Sequence, residues 1–457
     1  MSVDIFREYD IRGIYQEELN EDIVKKIGYF YAKKVLQNNP LETTMSVGYD
    51  ARLHSKTLFD WLVSGINFAG LNVIDLGLVP TPVSYFSTYH QFEDVDIKSS
   101  IMITGSHNPP QYNGFKLTIN QKPFFGEMIY SLGEEILNSD IKIPTNNNSL
   151  KLNIKDRYID FIVEHFKDLD TKDKVFAFDG GNGVAGTVLG EILDRLNIKK
   201  RTLFMQPDGN FPNHHPDPSV EKNLETLTTT MKEEDIDFGF AYDGDADRVA
   251  FLSKKYNFKG DILAIFLSRF IDNPTVIGEV KCSQIMYDIV NTYGKSVMYK
   301  TGHSNLKVKI KELNASFAAE VSGHIFFNDR YYGYDDAIYS TFRILELYCK
   351  GFDFDKEFES LPKVFTTPEG KVNVEDKKKF QIINTMANEL RNVNSDFPKI
   401  KDIVTIDGLR VIFENGWGLV RASNTTPTLV TRFEANTKEN LELYEKALMD
   451  LLNQIKE

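Results

Sequence analysis

The sequence predicts an α/β fold of four domains, in which three related α/β domains with mixed sheets precede a C-terminal α+β domain. The chain has 457 residues, enough for three or four domains at roughly 100–200 residues each. Short β-branched or aromatic runs alternate with longer amphipathic stretches in three rounds of similar length, as in α/β units. After residue 370 the order changes to helix, strands and helix, which is typical of an α+β domain.

The first domain is predicted to span residues 1–150. The stretch 55–69 has helical spacing, with Leu58, Leu62 and Ile66 on one face. A polar segment at 144–151 has little that could pack in a core, so we place the boundary there. The predicted strands of this domain are 46–50, 72–77 and 99–104.

The next two domains, 151–255 and 256–367, repeat the alternation, and the fourth spans 368–457. A segment at 363–370, punctuated by Pro and Gly, indicates a linker before the fourth domain. The predicted strands are 174–179, 201–205, 237–243, 249–253, 275–280, 296–300, 402–407, 409–414 and 417–423. The predicted helices are 188–196, 262–270, 283–293, 305–313, 376–390 and 439–455.

The charge balance narrows the expected partners. The chain carries 53 lysine and arginine residues against 66 aspartate and glutamate residues, a net charge of −13. An acidic surface repels phosphate backbones and anionic lipids, so we expect neither nucleic acid nor membrane as a partner. Any anionic ligand therefore needs a local cluster of arginine and lysine.

The sequence also suggests a cellular location. Two cysteines, Cys282 and Cys349, are too few for a disulfide framework or a cysteine zinc site, and Cys282 fits a small buried apolar residue. Neither the first ten residues nor any later run has the apolar length of a signal peptide or of a membrane span, about 18 residues. We expect a cytoplasmic protein and leave its oligomeric state open, with a monomer favoured.

The segment TGSHNPPQYNGFKL (104–117) follows a predicted strand. Open α/β sheets bind ligands at the carboxyl ends of their strands, so the placement suits a site. Ser106 offers a hydroxyl at the turn, and His107 and Lys116 bring further polar groups close by. A plain surface turn rich in Gly, Asn and Pro also fits, whereas a hydrolase nucleophile elbow does not.

The segment DGDADR (243–248) lies between two apolar strands. Its three carboxylates, at alternate positions on one side of an extended chain, repel one another and need a cation. Hard oxygen ligands suit Mg²⁺ or Ca²⁺, but the positions that complete a calcium loop hold Arg248 and Lys254. A Mg²⁺ site is therefore predicted, with a solvated acidic turn as the alternative.

The segment GNGVAG (181–186) matches a dinucleotide-binding pattern between a strand and a helix. Asp208 lies near the end of the next strand, where a ribose-binding acid is expected. A single match is weak evidence, because any tight strand-to-helix turn favours glycine. A structural turn is therefore favoured over a dehydrogenase site.

Three further segments could bind a phosphorylated sugar. RASNTTP (421–427) closes a strand and offers a guanidinium, hydroxyls and backbone N–H groups to an anion. EVSGH (320–324) and KTGHS (300–304) place polar side chains beside glycine, as binding of sugar hydroxyls requires. Ordinary polar turns remain possible at all three.

Taken in order, these segments resemble the phosphohexomutase superfamily, and in particular its bacterial phosphomannomutase/phosphoglucomutase branch. The resemblance spans nearly the whole chain, and seven ordered motifs are far more specific than any one of them. The motifs are FREYDIRG (6–13), TGSHNPPQYNGFK (104–116), DGDADR (243–248), GEVKCS (278–283), TGH (301–303), EVSGHIFF (320–327) and RASNTTP (421–427).

The resemblance implies four domains around a central cleft and a reversible transfer of phosphoryl between the 1- and 6-positions of mannose and glucose phosphates. It implies hexose phosphates as partners, one Mg²⁺ per chain, a phosphoserine, and glucose 1,6-bisphosphate as intermediate and activator. The implied catalytic residues are Ser106, Arg12, His107, Lys116, Arg248 and His324, with Lys116 and His324 as candidate bases. The implied metal ligands are Asp243, Asp245, Asp247 and an oxygen on phosphorylated Ser106. The implied substrate-binding residues are Tyr9, Lys281, Gly302, His303, Glu320, Ser322, His324, Arg421, Ser423, Asn424 and Thr425.

Two positions depart from the family pattern. Ala246 stands where the metal loop usually has glycine, and Ala319 stands where glycine usually precedes Glu320. If residue 246 needs a positive φ, alanine costs about 1 kcal/mol. Phosphoglucosamine mutase is the alternative within the superfamily, although that branch typically carries SASHNP and an RPSGTEP-like clamp. A dinucleotide-dependent dehydrogenase is the alternative from another class.

Overall fold

The computed structural model describes residues 5–92, 94–424 and 426–456. It contains four principal β-sheets, formed by four consecutive parts of the chain. A mixed sheet with helices occurs in each of the first three parts, and an antiparallel sheet with two main helices occurs in the last. The predicted fold class is confirmed. Every described helix is too short or too polar to span a lipid bilayer.

The first sheet has the order β1-β7-β6-β2-β3-β9, with β8 beside β7. Strands β6, β2, β3 and β9 run parallel, whereas β1 and β7 are antiparallel to their neighbours. Its strands are β1 Ile11–Ile14, β2 Thr44–Tyr49, β3 Asn72–Leu78, β6 Ser100–Ile103, β7 Tyr112–Ile119, β8 Lys122–Pro123 and β9 Leu150–Lys151, and β4 Gln91–Phe92 pairs with β5 Val95–Asp96 outside it. Its helices are α1 Glu21–Asn38, α2 Ser55–Ala69, α3 Thr81–Phe86 and α4 Glu127–Leu137.

The second and third sheets share one plan, in which a central strand has parallel partners on both sides and an antiparallel hairpin follows. Their orders are β11-β10-β12-β13-β14 and β16-β15-β17-β18. The strands are β10 Phe176–Asp179, β11 Lys200–Leu203, β12 Phe238–Tyr242, β13 Val249–Ser253, β14 Asn257–Phe258, β15 Thr275–Glu279, β16 Lys295–Tyr299, β17 Phe317–Ala319 and β18 Ile325–Phe327. The helices are α5 Ile154–His165, α6 Gly186–Arg195, α7 Glu225–Glu233, α8 Gly260–Ser268, α9 Gln284–Val290, α10 His303–Leu313, α11 Ala337–Cys349 and α12 Phe354–Ser360.

The fourth sheet is antiparallel, with the order β19-β24-β23-β22-β21 and β20 also beside β24. The predicted linker at 363–370 contains β19, because its extended chain finds an edge partner in β24. The strands are β19 Phe365–Thr366, β20 Gly370–Asn373, β21 Ile400–Val404, β22 Leu409–Phe413, β23 Gly416–Ala422 and β24 Thr428–Ala435, and the helices are α13 Lys379–Glu389 and α14 Lys438–Lys456.

The hydrophobic cores divide the molecule unevenly. One continuous core joins part of the first sheet region to the second and third. The fourth region has a core of its own, and a small cluster of Val280, Trp417 and Leu419 connects it to the third. Arg410 reinforces that connection, because its guanidinium lies over the Trp417 ring and donates to the carbonyls of Val280 and Cys282, both at 2.7 Å. This narrow apolar junction docks the fourth region on the third, and polar contacts such as those of Gln284 N–H with Glu434 and Thr301 N–H with Asp407 lie beside it.

Helix α1 is the largest element that the sequence analysis missed. Its buried face includes Ile23, Ile27 and Tyr31, and the side chain of Asn20 caps it by accepting from the Ile23 N–H. The lysines between these residues obscure the hydrophobic periodicity in the sequence. In the structure, the aliphatic parts of Lys25 and Lys26 are buried while their ammonium groups pair with Glu21 and Asp22. The N-cap residue Asn20 and the spacing of Ile23, Ile27 and Tyr31 were the sequence signals that could have predicted this helix.

Candidate active site

The loop that carries Ser106 leaves β6 at the carboxyl edge of the first sheet. Ser106 is buried, has a φ of 48°, and donates its N–H to Thr104 Oγ1 at 2.7 Å. Its Oγ lies 3.0 Å from Asp243 Oδ2 and 3.1 Å from His107 Nδ1. The hydroxyl is therefore held between a carboxylate and an imidazole, with little freedom to move.

Two residues that the sequence analysis missed build this loop. Asp50, which follows β2, accepts hydrogen bonds from the Thr104 hydroxyl at 2.9 Å and the Gly105 N–H at 3.0 Å. Arg52 donates to the carbonyls of Ser106 and Asn108 at 3.0 and 2.6 Å, and its side chain is fully buried. Because β2 and β6 are parallel neighbours, their carboxyl ends bring Asp50 to the serine loop.

The three predicted metal ligands lie in the turn between β12 and β13. Asp243, Asp245 and Asp247 are fully buried, and one carboxylate oxygen from each lies within 4.8 Å of the others. They converge because the chain turns, with Ala246 at a φ of 59°, and not because it is extended as predicted. Asp245 Oδ1 and Asp247 Oδ1 are buried without a hydrogen-bond partner. Unpaired buried carboxylate oxygens fit a hard divalent cation such as Mg²⁺.

Two cations already lie against the acidic turn, and one of them is Arg248, whose Nε is 3.9 Å from Asp243 Oδ2. Lys116, on β7, donates to Asp245 Oδ2 at 2.7 Å and also to Asp247 Oδ2. Burial and the two neighbouring carboxylates raise the pKa of Asp243. Burial alone would also raise the pKa of Asp247, but Lys116 and His324 outweigh it and lower that pKa. The three carboxylates thus outnumber the two cations that pair with them.

The glycine-rich segment 181–186 supports this turn and leaves no room for a dinucleotide there. A Cβ on Gly183 would lie 2.7 Å from the Gly244 carbonyl oxygen, and the Val184 N–H donates to that same oxygen at 3.1 Å. A Cβ on Gly244 would lie 2.4 Å from the Ser106 carbonyl oxygen. Glycine is needed at these positions because the backbones pack closely. This agrees with the structural turn that the sequence analysis favoured over a dehydrogenase site.

Arg12 and His107 complete the surroundings of Ser106. Arg12, on β1, donates to the Gly105 carbonyl at 3.2 Å and to Asn108 Oδ1 at 2.5 Å, and it pairs with Asp10. Burial, together with the nearby Arg248 and Arg12, lowers the pKa of His107 well below its usual value. His107 is therefore a neutral neighbour of the serine.

His324 lies between Arg248 and Asp335. Arg248 donates its Nε–H to His324 Nε2 at 2.9 Å, so the imidazole proton lies on Nδ1. That nitrogen is 3.0 Å from Asp335 Oδ2, and the other oxygen of Asp335 accepts from Lys307 at 2.9 Å. Burial opposes the charge of Asp335, but Lys307 outweighs it and lowers the pKa well below the usual range. The sequence analysis missed both Asp335 and Lys307.

The predicted sugar-binding residues follow three neighbouring parallel strands of the third sheet. Glu320 Oε1 accepts from the Gly302 N–H at 2.6 Å, and its Oε2 lies 3.9 Å from His324 Nε2. His303 stacks on His324 with ring centroids 5.5 Å apart. Ser322 is half-buried and has no hydrogen bond within the described part of the chain, so its hydroxyl is available.

The predicted phosphate clamp lies on the fourth sheet. Arg421 pairs through Nε and Nη2 with Asp407 at 3.1 and 3.2 Å, and although burial opposes its charge, Asp407 raises its pKa. Asn424 donates to the Tyr9 hydroxyl at 2.6 Å, and Tyr9 donates to the Thr301 carbonyl at 2.8 Å. The Ser423 hydroxyl accepts from Thr426 N–H at 3.1 Å. Thr425 lies outside the described residues.

Lys281 joins the clamp to the sugar-binding strands. It follows β15 and pairs with Glu369 at 3.0 Å, and it lies 4.0 Å from Glu279. Glu279 in turn accepts from the Thr301 hydroxyl at 2.9 Å. The structure therefore brings predicted residues from all four regions together among the residues it describes, with Ser322 beside them.

Four family models match the chain in order. They describe the phosphoglucomutase/phosphomannomutase α/β/α domains I, II and III at residues 3–139, 156–257 and 259–365, and the C-terminal domain at residues 369–451. The chain belongs to the phosphoglucomutase/phosphomannomutase family.

Relatives in this family align over almost the whole chain. The phosphomannomutase/phosphoglucomutase of Pseudomonas syringae pv. tomato is 39% identical over 445 residues, which covers 96% of this chain and 92% of the relative. A phosphoglucomutase of Neisseria meningitidis is 38% identical over 448 residues, with coverage of 96% and 94%. The crystal structure of a family protein from Burkholderia thailandensis is 34% identical, with a TM-score of 0.90 and coverage of 100% and 98%.

The two departures from the family pattern differ in their cost. Ala246 occupies the left-handed region, so its Cβ carries the strain of about 1 kcal/mol that the sequence analysis attached to a positive φ. Ala319 ends strand β17 in an ordinary extended conformation and is fully buried, so glycine is not needed there. Neither change removes a functional side chain.

Proposed function

We propose that this protein interconverts the 1- and 6-phosphates of glucose and mannose through a phosphoserine at Ser106 and a hexose 1,6-bisphosphate. The observation that carries the proposal is the placement of the Ser106 hydroxyl 3.0 Å from Asp243, within a buried acidic turn. A second set of anion-binding side chains, led by Arg421, lies on a different sheet. One phosphoryl carrier and one separate clamp suit a substrate that carries phosphate at either end.

The carrier end transfers the phosphoryl group. The free sugar hydroxyl attacks the phosphorus of phosphorylated Ser106, the bond from phosphorus to Oγ breaks, and the electron pair remains on Oγ. A Mg²⁺ held by Asp243, Asp245 and Asp247 supplies positive charge to the phosphoryl oxygens when it is bound. Arg12 and Lys116 are the nearby cations that stabilise the same charge.

His324 is the proposed base for the sugar hydroxyl, and Lys116 is not. The carboxylates around Lys116 raise its pKa although burial opposes them, so its ammonium keeps its proton. The Nε2 atom of His324 holds its lone pair because Arg248 donates to it. Arg248 therefore has to turn from His324 toward the phosphoryl group before the base can act.

The clamp end holds the other phosphate while the sugar reacts. Arg421, Ser423, Asn424 and Thr425 are the proposed ligands of that phosphate, with Lys281 beside them. Glu320 and Ser322 are proposed to bind the 3- and 4-hydroxyls, which glucose and mannose share. After the first transfer, the bisphosphate turns around and returns its other phosphate to Ser106.

The test is the mass of the intact protein before and after incubation with glucose 1,6-bisphosphate. We expect the mass of one phosphoryl group on Ser106, and no such mass on a Ser106→Ala variant. Glucose 1-phosphate and mannose 1-phosphate should react with kcat/KM values within about 100-fold, because the resemblance implies no dedicated contact at carbon 2, where the two sugars differ. Unphosphorylated protein that turns over normally would contradict the carrier role, and turnover of glucosamine phosphate alone would favour phosphoglucosamine mutase.

A further inference from the structure

A second cavity lies between the first and third sheet regions, outside the proposed active site. Its volume is about 350 Å³. One wall carries Tyr85, Tyr89 and Lys122, and the other carries Lys311 and Tyr334. Cavities of this size between domains are common binding places for small molecules.

The charge that lines this cavity is mainly positive. Lys307 is paired with Asp335 at 2.9 Å, and the lining carboxylate of Glu312 pairs with Lys309 at 2.7 Å, so Lys122 and Lys311 are the lining cations without a carboxylate partner in the described chain. Lys311 has only Asn328 as a hydrogen-bond partner, at 3.2 Å, and Lys122 has no side-chain partner among residues 5–92, 94–424 and 426–456. Unpaired ammonium groups at a cavity wall in an acidic protein favour an anionic occupant.

Two hydroxyl groups at the cavity also lack acceptors. The buried Tyr85 hydroxyl accepts from Lys307 at 2.8 Å, and within the described chain no acceptor takes its own hydrogen. The hydroxyl of Thr118 has no hydrogen-bond partner within the same part of the chain. The carboxylates of Asp335, Asp245 and Asp247 act on the Tyr85 hydroxyl, so the Thr118 hydroxyl is the one that can donate to an anion in the cavity.

We infer that this cavity binds a small organic anion, with a phosphate or carboxylate group attached to a flat apolar body. Lys122 and Lys311 hold the charged group, with the Thr118 hydroxyl as a further donor. The rings of Tyr89 and Tyr334, whose centroids are 5.6 Å apart, pack against the body.

The cavity also communicates with the proposed active site. Lys307 lines it and donates to Asp335 at 2.9 Å, and Asp335 contacts Nδ1 of His324 at 3.0 Å. Tyr85 lines the cavity and accepts from Lys307, so an occupant that shifts the Tyr85 ring changes the surroundings of Lys307 and should alter turnover. This link rests on the proposed function, whereas the binding itself does not.

The test measures binding of two probes, phenylphosphonate and benzoate, by isothermal titration to the full-length protein. Arg421→Ala removes the distal clamp, and Lys142→Glu places the same charge change at an exposed position away from the cavity. We expect at least one probe to bind wild type and both of these variants alike, and to bind Lys311→Glu about 10- to 100-fold more weakly. The probe that binds identifies the charged group.

A second variant tests whether the probe binds in this cavity, because it fills the cavity with a larger side chain. Val308 lines the cavity and is partly exposed, so Val308→Trp should fold and should abolish binding. The inference is overturned if neither probe binds wild type. It is equally overturned if binding survives in Lys311→Glu and Val308→Trp, or disappears in Arg421→Ala. None of these outcomes depends on mutase activity.

Discussion

The two ends of the proposed active site are built differently. At the serine end, Ser106, Lys116 and the three aspartates are buried and bonded to one another, and carboxylate oxygens remain without partners. At the clamp end, the cation that should bind phosphate is already paired, Arg421 with Asp407. Lys281 is paired with Glu369 in the same way, and Lys281 lowers the pKa of that carboxyl.

The difference indicates what each end must do. Phosphoryl transfer needs fixed positions and concentrated charge, so the serine end is assembled before substrate arrives. The clamp must accept a phosphate at either end of a sugar and release it again. On the proposed function, a phosphate would displace Asp407 and Glu369, which hold Arg421 and Lys281 in position until it binds.

Removing the carrier should give the largest effect. Ser106→Ala leaves the acidic turn and the clamp intact, so turnover should fall by several orders of magnitude, because no other group holds the phosphoryl between half-reactions. The binding constant for glucose 1-phosphate should change little. Steady-state kinetics and calorimetry measure the two, with Ser219→Ala as an exposed control. Near-normal turnover in Ser106→Ala would rule out the phosphoserine.

Removing the metal tests the same end. Asp245→Asn keeps the size of the side chain but removes one of three charges, so added Mg²⁺ should be needed at concentrations about 10- to 100-fold higher, if not more. Chelator should stop turnover of wild type, and Mg²⁺ should restore it. Full activity in chelator would show that the acidic turn holds no essential metal.

The protonation of one buried carboxylate, Asp336, should make the free energy of unfolding depend on pH. Burial raises the pKa of Asp336 to about 6, although Tyr158 and Tyr331 donate to it. The folded protein therefore holds this proton more tightly than the unfolded chain, and the contribution to stability is full below about pH 4 and is lost as pH rises through 6. Denaturant unfolding of wild type and Asp336→Asn should diverge by up to about 3 kcal/mol across that range. A pH-independent difference would contradict the raised pKa.

Weakening the clamp should cost less than removing the carrier. Arg421→Ala removes a bidentate, charge-assisted contact of about 1.5–3 kcal/mol, so KM should rise roughly 10- to 100-fold. The kcat should also fall, because a loosely held phosphate misaligns the reacting hydroxyl. If both constants are unchanged, the phosphate is bound elsewhere.

The smallest effect on the kinetic constants should come from substitution of Asp407, the carboxylate that pairs with Arg421. Asp407→Asn removes a competing charge from Arg421, and the pair is nearly buried, so KM should fall by about fivefold, or roughly 1 kcal/mol. Asp50→Asn at the serine end should instead lower kcat, because that carboxylate shapes the loop. A raised KM in Asp407→Asn would show that Asp407 positions Arg421 and does not compete with substrate.

Contiguous motifs made much of this site predictable. Ser106, the three aspartates, Glu320 and Arg421 each lie in a short segment whose chemistry is visible in the sequence. The residues that were missed act across long separations. Arg52 reaches the Ser106 carbonyl from 54 positions away, and Thr81 donates to Asp245 from 164 positions away.

The conformation of the acidic turn could be predicted only conditionally. The cost of Ala246 depends on a positive φ, and its surroundings determine that angle, including the Ala337 N–H that donates to its carbonyl. The fold class could be predicted because strand-like and helix-like segments alternate along most of the chain, so the signal does not depend on any single residue. Helix α1 was not predicted, because its lysines blur the pattern.

The narrow junction of the fourth region contains an intrinsic fluorescent probe. The chain has two tryptophans, Trp61 and Trp417. Trp417 lies in the junction, almost fully buried beneath the Arg410 guanidinium, and its indole N–H donates to Glu434. With Trp61 replaced by phenylalanine, the emission of Trp417 alone follows the separation of the fourth region from the third. Any movement of the fourth region relative to the third would then be measurable in solution without an attached dye.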